Sequence, residues 1–349
     1  MFEQYELQQV ILKNSKNFNE VKDFLAHFAL VFDKKVDYTV VLRDKETNSI
    51  VGTGSFSGEI LRNFALSPNI QGEGLASSII SALMQEQARQ NIYHHFVFTK
   101  PEKAKLFSGL GFKEIAKVEP YASLLESGIT SISSYCQTIK EKTNKVSNVH
   151  AGIVVNCNPF TKGHRALIET AAKENASVIV FVVSEDKSLF PFAVRLRLVQ
   201  EGVADLKNVT VVAGGSYVIS AATFPTYFTR EEEQVVAQTK LDITLFAKQI
   251  APMLNINRRY AGEEPYCQTT AAYNQAMLDI LPKHGIEVKI IQRSKNNEEI
   301  ISASKVRELL KNAEVSSVKD FVPQTTYAFL NSVEAQLLIE KIKTTNSRH

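Results

Sequence analysis

Two short stretches far apart in the chain carry side chains whose types and spacing suit the holding of phosphate. The first is Asn156-Cys157-Asn158-Pro159-Phe160-Thr161-Lys162-Gly163-His164. Pro159 sets a turn, Gly163 allows close backbone approach, and a helix starting there presents unpaired N–H groups to an anion. His164, in the first helical turn, faces the same anion. The second is Ile301-Ser302-Ala303-Ser304-Lys305-Val306-Arg307. Ser302 can cap a helix, Ser304 and exposed N–H groups can hold phosphate oxygens, and Arg307 can fork onto them one turn later. Taken singly, a βα turn favours Gly and Pro for its own sake, Ser302 is an N-cap and Arg307 a surface charge. The two together, in this order, point to one phosphate site. A third stretch, Asn69-Ile70-Gln71-Gly72-Glu73-Gly74-Leu75-Ala76, is another glycine-bearing turn that opens a helix and offers N–H groups to an anion.

The elements around these stretches follow from hydrophobic rhythm. From His150 onward strands and helices alternate: strands at His150–Asn156, Val178–Ser184, Val209–Ala213, Asn257–Ala261 and Glu287–Gln292. Helices fall between and after them, at Gly163–Glu174, Ala193–Asp205, Arg230–Ile250, Gln268–Leu281 and Ser302–Asn312. Such alternation implies a doubly wound parallel sheet, with its ligand crevice at the carboxyl ends of the strands. Before the boundary, strands at Tyr38–Leu42, Ile50–Phe56, Ile60–Leu66 and His95–Thr99 accompany helices at Gly74–Gln90 and Lys103–Leu110, a mixed α/β pattern. The polar, Lys-rich stretch Gln137–Asn148 reads as a linker or the end of a connecting helix, which divides the chain into domains at 1–140 and 149–349.

Composition narrows the class. A chain of 349 residues exceeds one ordinary core of about 100 to 200 residues. With 40 basic and 37 acidic residues there is no field to gather nucleic acid. Cys136, Cys157 and Cys267 share no metal-ligand spacing and build no disulfide framework, which suits a reducing cytoplasm. No apolar run reaches the ~18 residues of a membrane span, and the first residues lack the apolar core of a secretory signal.

Thr161-Lys162-Gly163-His164 resembles the T-x-G-H form of the H-x-G-H signature of the nucleotidyltransferase superfamily, and Ile301–Arg307 resembles its I-S-S-T-x-x-R segment, with Ala303 in place of one serine. The resemblance implies that Thr161, His164 and Arg307 serve catalysis. It further implies that Asn156, Asn158, Pro159, Phe160, Gly163, Gly262, Ser302, Ser304 and Lys305 surround ATP. Mg²⁺ rides on the triphosphate, and no protein side chain is assigned to it. An acceptor oxygen would attack the α-phosphorus while the protein supplies oriented positive charge. Lys187 and Arg195, after the second strand, are either further triphosphate contacts or solvated charges.

Beyond these motifs, the chain from Val149 to Phe329 resembles the citrate lyase ligases. Phe190–Arg195, Ala204–Val209, Gly214–Phe228, Gly262-Glu263-Glu264-Pro265 and Thr270–Met277 carry the likeness. It implies that acetate attacks ATP to give acetyl-adenylate and pyrophosphate. The acetyl group then passes to the thiol of the prosthetic group on the acyl carrier subunit of citrate lyase, releasing AMP. Glu263 and Glu264 either orient substrate or form an ordinary charged loop. Ser220–Tyr227 either lines the acceptor pocket or packs beneath a loop. Cys157 reads as a packing residue, since the adenylate route needs no enzyme thiol. The alternatives are an adenylyltransferase for a cofactor precursor, or an N-acetyltransferase with a nucleotide-sensing domain.

Gln71-x-x-Gly74-x-Ala76 resembles the pyrophosphate loop of the GCN5-related N-acetyltransferases, and Leu106–Phe112 resembles their later helix ending in Gly-Phe. Gln71, Gly72, Gly74 and Ala76 are thereby assigned to a CoA-like arm. The chain departs from that family at Phe107, where many members carry the tyrosine that protonates the departing thiolate. Glu59 and His95 are alternative acids, with surface or core roles as the competing reading. The fold class expected is α/β: an acetyltransferase-like mixed domain followed by a doubly wound, Rossmann-like nucleotidyltransferase domain.

Overall fold

A computed structural model describes residues 4–32, 34–71, 74–143, 147–186, 188–220, 231–263, 268–293, 295–296, 299–312 and 315–344, without the side chains of 231–235, 268–269, 295–296 and 299. The chain forms two compact units. One holds the residues up to Ser134 and the helical residues 231–241, and the other holds Tyr135 to Ser220 and Asp242 onward.

The first unit is built on seven strands: β1 (Tyr5–Gln9), β2 (Tyr38–Asp44), β3 (Ile50–Ser57), β4 (Ile60–Leu66), β5 (His94–Thr99), β6 (Lys113–Val118) and β7 (Ala122–Gly128). They lie in the order β1-β2-β3-β4-β5-β7-β6. Neighbours are antiparallel except β4 and β5, which run parallel and pair only through Ile60 with Phe96 and Leu61 with Val97. Past Leu61 that ladder ends, close to a bulge in the β3/β4 register and to Asn63 at φ 52°. Helices α1 (Ser15–Ala26), α2 (Leu75–Arg89) and α3 (Pro101–Ser108) complete the unit, and α4 (Ile132–Lys142) begins in it. Helix α2 lies hard on the sheet: a Cβ at Gly54 would come within 2.7 Å of Ile79 and 2.9 Å of Leu83, so a larger residue there would push these side chains aside. Leu75, Ile79, Ile80 and Leu83 fill the core between them.

The second unit follows the expected alternation. Strands β8 (His150–Val155), β9 (Val178–Val182), β10 (Val209–Ala213), β11 (Ile256–Gly262) and β12 (Glu287–Ile291) form one parallel sheet in the order β10-β9-β8-β11-β12. The strand order reverses between β8 and β11, which is where such sheets open a crevice at their carboxyl ends. Around the sheet run α5 (Lys162–Glu174), α6 (Phe192–Gly202), the last residues, from Asp242 on, of α7 (Glu231–Leu245), then α8 (Ala251–Met253), α9 (Gln268–Ile280), α10 (Ala303–Asn312), α11 (Gln324–Leu330) and α12 (Val333–Thr344). The helix expected over Arg230–Ile250 is α7 continued by a π turn, Phe246–Ile250, into α8. A two-residue hairpin, β13 (Lys295–Asn296) with β14 (Glu299–Ile300), precedes α10. Strands β8 and β9 are apolar throughout their inner positions, as a sheet covered on both faces requires. Among the described residues no helix is long and apolar enough to cross a membrane.

Candidate active site at the ends of the parallel strands

The turn after β8 is held in shape from behind. Asn158, almost wholly buried, accepts the Phe190 N–H on its side-chain oxygen at 3.0 Å. Arg195 is fully buried on α6 and donates to the carbonyls of Phe190, Asn156, Val183 and Glu185 at 2.7–2.9 Å, and to Asn156 Oδ1 at 2.9 Å. Both readings of Arg195 as an exposed charge are therefore replaced. It is a brace that ties the loops after β8 and β9 together, and its charge is spent on carbonyl dipoles. Cys157 sits at φ 53°, 1% exposed, and burial pushes its thiol's pKa up, so it packs rather than reacts.

Helix α5 opens with a reciprocal cap. Thr161 Oγ1 accepts the His164 N–H at 3.3 Å, while the Thr161 N–H donates to His164 Nδ1 at 3.1 Å and the Thr161 hydroxyl lies 2.8 Å from the same nitrogen. A backbone N–H can only donate, so Nδ1 is the unprotonated nitrogen and Nε2 carries the hydrogen. Burial, with help from the Arg293 charge, pushes the imidazole pKa down to about 4. His164 is thus a neutral ring that offers one fixed N–H donor. The buried Phe160 ring lies nearly parallel to it, 6.1 Å away, and fits under Gly202, where a Cβ would strike it. Pro159 and Phe160 are packing residues of the turn.

The second motif arrives at the same place. An added Cβ on Gly163 would lie 3.0 Å from the Ile301 carbonyl oxygen, so the two turns are in near contact there. Arg307 Nη1 donates to the Asn158 carbonyl at 2.6 Å and Nη2 to Ser304 Oγ at 3.3 Å. Ser302 caps α10 by accepting the Lys305 N–H at 3.1 Å. The N-terminal ends of α5 and α10 therefore converge, with His164, Lys305 and Arg307 around them.

Sequence reasoning missed Arg293, which follows β12. Its Nε donates to the Glu263 carbonyl at 2.6 Å and its charge is felt at His164. The signal lay in its position, just past the carboxyl end of a parallel strand, but no motif marks it. Gly262 ends β11, and its carbonyl accepts from Asn274 at 3.0 Å. Asn156, exposed, donates to Ser188 at 3.1 Å. Lys187, Glu264, Pro265 and residues 221–227 of the expected acceptor stretch lie outside the described residues.

In the first unit, Gly74 is the N-cap of α2 at φ 77°, with open space where a Cβ would stand. Gln71 Nε2 donates to the Leu66 carbonyl at 3.1 Å, and Ala76 is buried as the second residue of the helix. Gly72 lies outside the described residues. Phe107 is buried against Phe64 and Phe112, and buried His95 has Nδ1 2.9 Å from Gln87 Oε1, a core contact.

A doubly wound parallel sheet, with a Thr-capped histidine at one helix entrance and an arginine one turn into another, is the architecture of the nucleotidyltransferase class. The family model for the citrate lyase ligase C-terminal domain matches residues 150–330. The chain is 35% identical over 326 residues to the citrate (pro-3S)-lyase ligase of Escherichia coli (strain K12), covering 91% of this chain and 92% of that one. It is 36% identical over 331 residues to the ligase of the same name from Haemophilus influenzae, covering 92% and 97%. The chain belongs to the citrate lyase ligase family. Among solved structures it is similar to an acetyltransferase of the GNAT family from Staphylococcus aureus, at 13% identity and a TM-score of 0.31, over 36% of this chain and 99% of that one.

Proposed function

We propose that this protein is an AMP-forming acid-thiol ligase that activates acetate with ATP and acetylates the thiol prosthetic group of the citrate lyase acyl carrier subunit. The observation that carries the reading is the meeting of the His164 and Arg307 turns, in a chain matched along nine-tenths of its length by ligases of that name. Both turns carry donors and no acidic side chain, which fits a polyanion.

In the first step an acetate oxygen forms a bond to the α-phosphorus while the bond to the pyrophosphate oxygen breaks. Negative charge grows on the α-phosphate oxygens, and the His164 Nε2–H is placed to donate to one of them. Because the ring is already neutral with Nδ1 occupied, it donates a hydrogen bond without losing its proton. Lys305, Arg307 and Arg293 offset the charge of the leaving pyrophosphate. Mg²⁺ carried on the triphosphate would supply the remaining neutralisation. In the second step the thiol attacks the acetyl carbonyl, the thioester forms and AMP departs. Gln71, Gly72, Gly74 and Ala76 of the 1–140 domain hold the CoA-like arm that bears this thiol, while the 149–349 domain performs the chemistry. Phe107 supplies no acid, so the first domain binds rather than transfers. A cytoplasmic location suits three dispersed cysteines and a cytoplasmic nucleotide.

The test is pyrophosphate and AMP release from ATP plus acetate, with and without the thiol carrier. Pyrophosphate should form with acetate, AMP should be freed in step with thiol acetylation, and His164→Ala should lower the rate by about 10²- to 10³-fold. Full activity in that variant overturns the assignment of the site.

A further inference from the structure

Arg259 stands on β11 and is 3% exposed. Its Nε and Nη1 are sealed from solvent and have no hydrogen-bond partner. A buried guanidinium ordinarily resides in a net of carbonyls or carboxylates, as Arg195 does in this same unit, because stripping its N–H groups of water is costly without replacement. Arg259 lacks such a net. Its guanidinium lies over the Phe246 ring, 4.5 Å from the centroid, which supports a cation from beneath but satisfies none of its in-plane donors.

The nearby acid does not fill the gap. Asp242, 2% exposed, accepts the Ile219 N–H at 2.7 Å on Oδ1 and the Tyr273 hydroxyl at 2.6 Å on Oδ2. Burial and the Asp242 charge hold the Tyr273 pKa well above its usual value, so the phenol keeps its proton and stays on Asp242. The carboxylate is thus engaged by two other donors. It contributes to the field at Arg259 without meeting its N–H groups.

Position gives the orphaned donors a use. β11 borders the point where the strand order reverses, the place where such sheets bind ligands. Arg259 is four residues before Glu263, whose carbonyl holds Arg293, the cation felt at His164. At ~3.3 Å per residue, the Arg259 Cα is about 13 Å of strand from that point, and a long side chain covers part of this distance. A planar, sealed, cationic fork with an aromatic floor matches a small carboxylate, which it can meet with two parallel N–H bonds.

We propose that Arg259 is the receptor for the carboxylate of the acid substrate, with Phe246 as its floor and the Asp242–Tyr273 pair fixing its surroundings. This rests on the acetate-activating reading above. The carboxylate binds first through both oxygens, and one of them is then the nucleophile toward the α-phosphorus. Confinement by Phe246 and Tyr273 favours acids with very short chains.

Three variants test it: Arg259→Lys, Arg259→Gln and Arg259→Met. Arg259→Gln and Arg259→Met should raise the KM for acetate by about 30- to 1000-fold while the KM for ATP moves less than about 3-fold, and Arg259→Lys should fall between them and the parent. Without substrate, Arg259→Met should match or exceed the parent in thermal midpoint, because it removes an unmet buried charge. Sodium acetate alone should raise the parent's midpoint above an equimolar sodium chloride control and leave that of Arg259→Met unchanged. An unchanged acetate KM in folded variants overturns the proposal, as does a lowered midpoint in Arg259→Met with no acetate effect on the parent. Absence of acetate-dependent pyrophosphate release in the parent would instead sink the proposed function. The acetate effect on the midpoint then still reports on Arg259 by itself.

Discussion

Replacing Gly163 separates the stability of α5 from the spacing of the two phosphate turns. Gly163 is the second helical residue and is not in the left-handed region, so alanine adopts its backbone without strain. By propensity alone the change would stabilise the helix by up to about 0.5–1 kcal/mol. The new Cβ, however, would stand 3.0 Å from the Ile301 carbonyl, where ordinary contact begins at 3.4 Å. That oxygen belongs to backbone that cannot rotate away like a side-chain tip, because it leads straight into the Ser302 cap of α10. The two turns must therefore part by roughly 0.4 Å, the difference between those two distances. If a 1 Å misplacement costs about 10²-fold and the effect is log-linear, 0.4 Å costs about 6-fold in kcat/KM, or ~1 kcal/mol of barrier. Gly163→Val adds two methyl groups at the same point and should exceed 10²-fold by about the same reasoning. The assay pairs acetate-dependent pyrophosphate release with thermal unfolding. Activity should fall in the order Gly, Ala, Val while the alanine variant loses no stability. A folded valine variant with parental kcat/KM would refute the claim that both turns grip one triphosphate.

Three further outcomes follow from the same geometry. In the free protein the His164 ring, observed by NMR, should titrate near the value of about 4 that burial imposes, and a midpoint close to the ordinary 6.5 would contradict the donor assignment. Its folded pKa is depressed, so its contribution to stability is complete above about 6.5 and is lost as pH falls from there towards 4, which unfolding curves across that window should show. Arg195→Met leaves four carbonyls short of donors and should cost about 3–5 kcal/mol in denaturant unfolding; unchanged stability with a raised KM for ATP would restore the exposed reading of Arg195. Gly74→Val at φ 77° should strain the α2 cap by about 1–2 kcal/mol and raise the KM for the thiol carrier at least about 10-fold, with pyrophosphate release untouched. Equal losses in both half-reactions would argue against a separate arm site.

The rhythm of the second unit was legible because β8, β9 and β10 are short apolar runs set off by polar turns, and Val209–Ala213 lies where the sequence places it. The capping role of Ser302 was legible too, since its hydroxyl acts within three residues of its own position, whereas Thr161 reads in the sequence as a motif residue and not as the cap that it forms. What failed to show was whatever depends on distant partners. Arg195 reads as a surface charge in its helix, and only the carbonyls of Asn156, Val183 and Glu185, brought in by other elements, make it a buried brace. Strands β1, β6 and β7 escaped notice because Tyr5–Gln9 and Lys113–Val118 carry polar residues suited to edge positions, and Ala122–Gly128 mixes small and polar residues without clear alternation. Helix α12 has exposed Val333 and Leu337, which blur the periodic stripe by which a helix is recognised.

The contrast between Arg195 and Arg259 bears on how the site is assembled. Both are buried guanidiniums on elements beside the crevice, and burial lowers the pKa of both. In Arg195 all three nitrogens are engaged, Nε and Nη2 by one oxygen each and Nη1 by three that share its two hydrogens, so the residue holds loops in place. In Arg259 the fork is unmet, and the desolvation already incurred on folding means that an arriving carboxylate need not strip water from it again. Preorganisation of this kind is most useful for a substrate as small as acetate, which has few atoms with which to generate binding energy. The nucleotide, large and highly charged, can be held by half-exposed groups such as Lys305 and Arg307 that remain partly hydrated. A site that spends a sealed, unpaired cation on the smaller ligand therefore follows from the sizes of the two substrates.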